Sequence, residues 1–88
     1  MIRKEIEVVN KLGLHARPAT MLVKTASRFS SKITIKKEEL SVDAKSIMGV
    51  LILAAQKGSI LMLDVDGPDE EEASKAVAEL FARGFDED

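Results

Sequence analysis

The chain has 88 residues, 45% of them apolar and 32% charged, which is room for one domain with an economical core. A net charge of −2, three Phe and no Tyr or Trp leave neither the basic stripe nor the stacking surface of a nucleic-acid binder. The absence of cysteine removes disulfides and thiolate metal sites, a single unpaired histidine argues against a metal centre, and no apolar run approaches the ~18 residues of a membrane span.

The start, Met-Ile-Arg-Lys-Glu-Ile, alternates charge and apolarity where a leader would show an apolar core, so the expected location is the cytoplasm. Residues 2 to 8 place Ile2, Lys4, Ile6 and Val8 on one face and Arg3, Glu5 and Glu7 on the other, the period of a half-buried strand. Asn10, Lys11 and Gly13 break that pattern. A helix follows, with Ala16, Ala19, Leu22, Val23, Ala26 and Phe29 as its apolar face. Pro18 belongs in its first turn, and because proline pushes Arg17 away from helical dihedrals, the cap is His15 or a residue slightly later.

Ile33 and Ile35, then Leu40 and Val42, alternate around Glu38-Glu39 as a hairpin that lacks the Asn-Gly or Asp-Gly of a tight primed turn. Ser46 has the position of an N-cap for a helix from Ile47 to about Gln56, with Gly58 as its stop. Ile47, Met48, Val50, Leu51, Ile52 and Leu53 make that helix apolar almost all round, more than one buried face uses. Ile47, Met48 and Leu51 are therefore expected to be exposed, with Gly49 admitting another backbone. A fourth strand spans Ile60 to Asp66, with Leu61, Leu63 and Val65 inward. Asp69 and Glu72 then stand at capping-box spacing before a final helix with the stripe Ala73, Ala76, Val77, Leu80 and Phe81. Gly84 supplies a left-handed stop with Phe85 folding back on Leu80, and Asp86-Glu87-Asp88 reads as a solubilising tail. The acidic residues at 69–72 and 86–88 offer at most weak cation sites, and no metal or cofactor is expected.

The order β-α-β-β-α-β-α implies an α+β fold of two layers, helices on one face of a sheet, and periodicity alone leaves two strand arrangements open. His15 falls between a strand and a helix start, where unpaired backbone N–H groups form an anion site to which Arg17 adds a guanidinium. A phosphoryl group suits that site. Arg17, Thr20, Met21, Lys24 and Arg28 run down one side of the helix as a basic face with an apolar knob, suited to an acidic partner.

Gly13-Leu14-His15-Ala16-Arg17-Pro18-Ala19, with Lys45-Ser46-Ile47-Met48-Gly49, resembles the bacterial histidine-containing phosphocarrier (HPr) family of the phosphoenolpyruvate-dependent phosphotransferase system over essentially the whole chain. The resemblance implies one HPr-like domain over residues 1–88, an open-faced β-sandwich with an antiparallel sheet in the order 1-4-2-3 and three helices on one face. It makes His15 the phosphoryl acceptor on Nδ1, taking the group from phospho-enzyme I and passing it to IIA domains, with no cofactor, as a cytoplasmic monomer and not a free-standing catalyst. Arg17 and the positive helix end favour a neutral, nucleophilic ring and then the phosphoryl dianion. Ser46 matches the regulatory serine modified by HPr kinase/phosphorylase, and Ala16, Thr20, Met21, Lys24, Lys45, Ile47, Met48 and Leu51 become the partner surface. NKLGLHARP and ELFARGFDED resemble the nitrogen-branch carrier, whereas KSIMG resembles the sugar-branch protein, so both branches stay open. A purely regulatory binding module would not need His15. A phosphohistidine hydrolase would need a general acid or base beside His15 and an enclosed pocket, and the motif supplies neither.

Overall fold

Alternating apolar residues build four strands and three amphipathic segments build helices, in the predicted order. The computed structural model describes residues 1–87 and contains β1 (Ile2–Glu7), α1 (Ala16–Ser27), β2 (Lys32–Lys37), β3 (Leu40–Asp43), α2 (Ile47–Ile52), β4 (Ile60–Asp66) and α3 (Glu70–Ala82), followed by a single turn at Gly84–Asp86. Asp88, the last residue of the expected tail, lies outside the described residues. Among those described, no helix is long and apolar enough to cross a membrane.

The sheet is antiparallel throughout, in the order β1-β4-β2-β3. Register places Ile6 opposite Leu61, Ile33 opposite Val65 and Ile35 opposite Leu63, so these cross-strand pairs make one face largely aliphatic. The helices cover it, and the other face, with Arg3 paired to Asp64, is left open. Lys4 has the register of the inner face, opposite Leu63, yet stays exposed because β1 is an edge strand and its long side chain reaches water. Leu22, Ile33, Ile35, Leu63, Val65 and Val77 are fully buried in one core cluster, each such side chain contributing about 1.5–3 kcal/mol relative to exposure.

Several local expectations are corrected. α1 starts at Ala16 with His15 as its N-cap, so Pro18 does not displace Arg17 from the helix; its missing N–H falls in the first turn, where no carbonyl waits for one. Ala16 is exposed at that start and takes no part in the buried face of Pro18, Ala19, Leu22 and Ala26. The β2–β3 hairpin closes tightly over Glu38 and Glu39, with Lys37 opposite Leu40, and Glu38 adopts a left-handed φ of 54° in place of the glycine such turns favour. α2 ends at Ile52 instead of about Gln56. Ala54 turns left-handed (φ 49°), the Leu53 and Ala54 carbonyls accept the Lys37 ammonium, and the Ala55 carbonyl accepts Leu14 N–H. Gly49 packs against the Val42 side chain, not against a backbone.

The capping box at Asp69 is also absent. Asp69 is the N-cap of α3, but its carboxylate reaches back 39 and 38 residues to accept from the Ser30 and Ser31 N–H groups, both at 2.9 Å, and from the Ser31 hydroxyl. Glu70 takes over at the helix start by accepting Gly67 N–H at 3.1 Å, while Glu70, Glu71 and Glu72 set negative charge in the first turn, as the helix dipole favours. At the other end Gly84 is left-handed as expected (φ 62°), and Phe85 enters the core cluster that holds Leu80, turning edge-on to Phe81 with ring centroids 4.8 Å apart.

The Ser31 hydroxyl and the two backbone N–H groups hold the Asp69 carboxyl below its ordinary range. A carboxyl with a lower folded than unfolded pKa contributes stability that is present above the unfolded value and lost as pH falls through the folded one. Asp69→Asn is therefore expected to lower the melting temperature at pH 7, with the gap to the parent closing as pH falls through the lowered folded pKa and the carboxyl becomes neutral. A gap constant with pH in thermal melts would show that the charge contributes nothing.

Candidate phosphoryl-acceptor site

Gly13 brings the chain into position. Its φ of +71° is left-handed, and a Cβ there would lie 2.4 Å from the Ala55 carbonyl oxygen, so only glycine allows the two backbones to approach. Leu14 is buried and donates its N–H to that carbonyl at 2.9 Å. One residue later the chain opens to solvent: His15 has extended dihedrals (φ −80°, ψ −170°), its carbonyl takes the first α1 bond from Ala19 N–H at 3.0 Å, and its ring makes no capping bond. The N–H groups of Ala16 and Arg17 head the helix without a backbone acceptor among the described residues, which is the geometry of an anion site. Arg17 is exposed beside them.

The ring of His15 is 37% exposed and its Nε2 lies 3.0 Å and 3.2 Å from the two carboxylate oxygens of Glu87. Glu87 also accepts the Asn10 amide at 2.9 Å, and that amide, buried beneath the loop, donates its other hydrogen to the Gly13 carbonyl at 2.8 Å. The Asn10 amide, the His15 ring and the charge of Arg17 together hold the Glu87 carboxyl below the ordinary carboxylate range. Nδ1 of His15 has no hydrogen-bond partner among the described residues. A cleft of about 420 Å³ lined by Lys11, Leu12, Arg17, Asp86 and Glu87 opens on this side. The tail read as a solubilising run thus contributes a residue to the site. Glu87 stands 72 positions from His15, and no local pattern in the sequence announces the contact.

Ser46 caps α2 as expected, with extended dihedrals and its hydroxyl oxygen accepting Gly49 N–H at 3.1 Å. α1 and α2 pack against each other, so the histidine helix and the serine helix share one side of the molecule. Thr20 and Lys24 are exposed on α1, although the Thr20 hydroxyl is bonded to the Ala16 carbonyl at 2.8 Å. Met21 is half-buried and packs on the core. Lys45 extends its ammonium to the Phe29 carbonyl at 2.7 Å, at the C-terminal end of α1, where a cation is favourable. On α2, Ile47, Met48 and Leu51 are exposed while Val50 is buried; Ile52, at 60%, is more open than Leu51, at 37%. Leu12, at 71% exposed beside the histidine loop, is a further apolar residue that periodicity did not single out.

Residues 2–83 match the protein family described as "PTS HPr component phosphorylation site". The chain belongs to the HPr family. The phosphocarrier protein HPr of Treponema pallidum (strain Nichols) is 49% identical over 88 residues, covering all of both chains. The phosphocarrier protein NPr of Escherichia coli (strain K12) is 39% identical over 99% of this chain and 98% of its own. Among solved structures, HPr-C-His from Thermoanaerobacter tengcongensis superposes with a TM-score of 0.96 at 48% identity, covering 100% of this chain and 99% of that one. HPr family members are phosphocarriers of the phosphotransferase system, not free-standing catalysts.

The cap on α2 has a measurable weight. Ser46→Ala, which removes the acceptor for Gly49 N–H, is expected to cost about 1 kcal/mol in urea unfolding, whereas Ser46→Asp, an equally good cap, is expected to stay within about 0.5 kcal/mol of the parent. Equal loss in both would mean that the hydroxyl contributes through something other than capping.

Proposed function

We propose that His15 carries the phosphoryl group on Nδ1, receiving it from phospho-enzyme I and passing it to IIA domains of sugar-specific permeases. The observation that carries this reading is the Nδ1 of a ring held at the head of α1, without a hydrogen-bond partner among the described residues, next to the Ala16 and Arg17 N–H groups and the exposed Arg17 side chain. The Nδ1 lone pair attacks phosphorus, the bond from phosphorus to the donor breaks, and the donor keeps the electron pair. Arg17 and the helix end then face the dianion and stabilise it without enclosing it. A partner closing over the exposed ring supplies the dry environment that the small domain does not build.

The partner surface in this reading comprises Ala16, Thr20, Met21, Lys24, Lys45, Ile47, Met48 and Leu51: a basic flank for steering and an apolar patch for contact. Ser46 is its switch. A phosphate there carries a charge near −2, is tolerated at the head of α2, and sets negative charge beside Ile47, Met48 and Leu51, where it repels an acidic partner. Where an HPr kinase/phosphorylase is present, Ser46 is its target. The working unit is the domain of residues 1–88, a cytoplasmic monomer that needs no cofactor. Closer identity to the HPr relative than to the NPr relative supports sugar uptake and its regulation over the nitrogen-branch phosphorelay.

Incubation with enzyme I and labelled phosphoenolpyruvate tests the central step. The parent chain is expected to gain one acid-labile phosphate and His15→Ala none, with unchanged circular dichroism because the ring makes no capping bond and lies outside the core. Labelled phosphate on the His15→Ala chain would overturn the assignment. In the same assay Ser46→Asp is expected to accept phosphate at least about tenfold more slowly, since like charge at an interface costs more than about 1.4 kcal/mol. Transfer at the parental rate would leave Ser46 as a cap alone.

A further inference from the structure

Glu87 approaches the one face of the His15 ring that phosphoryl transfer does not use. Its carboxylate can only accept hydrogen bonds, and both its oxygens lie within 3.2 Å of Nε2. A neutral imidazole has one ring hydrogen, so a ring bonded to this carboxylate carries it on Nε2 and leaves the lone pair on Nδ1. The carboxylate is fixed from two sides. Asn10, 3% exposed, donates to Glu87 and to the Gly13 carbonyl with the two hydrogens of one amide group, which ties the tail to the histidine loop. Phe85, fully buried against Phe81, anchors the turn, and Glu87 N–H closes it on the Gly84 carbonyl at 3.0 Å.

We propose that Glu87 is a positioning residue for phosphoryl transfer, holding the His15 tautomer that exposes the Nδ1 lone pair and offsetting the charge the ring gains when Nδ1 bonds phosphorus. The inference rests on His15 being the acceptor. When the Nδ1 lone pair forms the N–P bond, the donor's bond to phosphorus breaks with its electron pair, Nε2 keeps its proton, and the ring becomes cationic against Glu87. On delivery the N–P bond breaks, its electron pair returns to Nδ1, and the ring is neutral again with the same proton on Nε2. No proton is exchanged with solvent in either direction. A cationic ring is a better leaving group than a neutral one, so the carboxylate also preserves the donor power of the phosphorylated carrier. The logic is that of a carboxylate orienting a catalytic or metal-bound histidine through its second nitrogen. Arg17, Lys11 and Asp86 share the cleft with Glu87.

The test uses the full chain with ¹⁵N-labelled histidine, the variants Glu87→Ala and Glu87→Gln, and enzyme I with labelled phosphoenolpyruvate. The parent's neutral ring is expected to show the Nε2–H tautomer alone by its ¹⁵N shifts. Glu87→Ala is expected to gain an Nδ1–H population and to accept phosphate about tenfold or more slowly. Glu87→Gln, which keeps an acceptor oxygen without the charge, is expected to hold the tautomer yet lose rate. A parental tautomer in Glu87→Ala, or a rate within about twofold of the parent in that variant, overturns the proposal. A parental rate in Glu87→Gln overturns the charge offset. Should the parent itself gain no phosphate on His15, the acceptor assignment falls, while the tautomer still reports on the Glu87 contact.

Discussion

The hydrogen bond from Leu14 N–H to the Ala55 carbonyl joins the segment before α1 to the segment after α2, and much of the functional face follows from it. It forms only because Gly13 lets the two backbones meet, and it is shielded because the Leu14 side chain enters the core. With Leu14 fixed, the next residue has to emerge from the surface, and that residue is His15. The same bond fixes the segment that follows α2, so the end of that helix and the exposed histidine meet at one backbone contact.

The periodic parts of the chain were legible from sequence. Period-two alternation located all four strands, i, i+3, i+4 spacing located α1 and α3, the Ser46 cap located α2, and the inward residues Leu61, Leu63 and Val65 are buried. Sheet order was not in the periodicity; it came from resemblance to the HPr family, and the strand pairing agrees. What was missed shares one physical origin. α2 stops early where Ala54 turns left-handed and the Leu53, Ala54 and Ala55 carbonyls meet distant partners. Asp69 left its local capping role because Ser30 and Ser31 offered three donors at once. Glu87 left its role as a solvated tail residue because Asn10 and His15 offered two. In each case a polar group exchanged a local or solvent partner for a distant one, and distance in sequence leaves no pattern to read.

Within the site, the motif residues and the unforeseen ones divide by character. His15 and Arg17 are exposed or half-exposed at a helix head, in a motif read directly from seven consecutive residues. Asn10 and Glu87 sit behind the ring, one buried and one half-buried, and orient it from outside the motif. The exposed part of the candidate site is therefore encoded locally, while the contacts behind the ring are assembled from both ends of the fold.

Both supports contain residues in a backbone conformation that glycine would adopt without strain. Ala54, next to the Ala55 carbonyl, and Phe85, two residues before Glu87, are left-handed without being glycine, a choice that costs about 1–2 kcal/mol at each. Glycine would relieve the strain but widen the range of backbone angles at the two points from which the histidine is aimed. Alanine and phenylalanine narrow that range: a side chain that disfavours the conformation also makes its basin small, and the surrounding contacts keep the chain inside it. Glycine at these two positions would therefore relieve backbone strain while loosening the segments that flank His15 and Glu87, trading thermal resistance against the freedom of the ring.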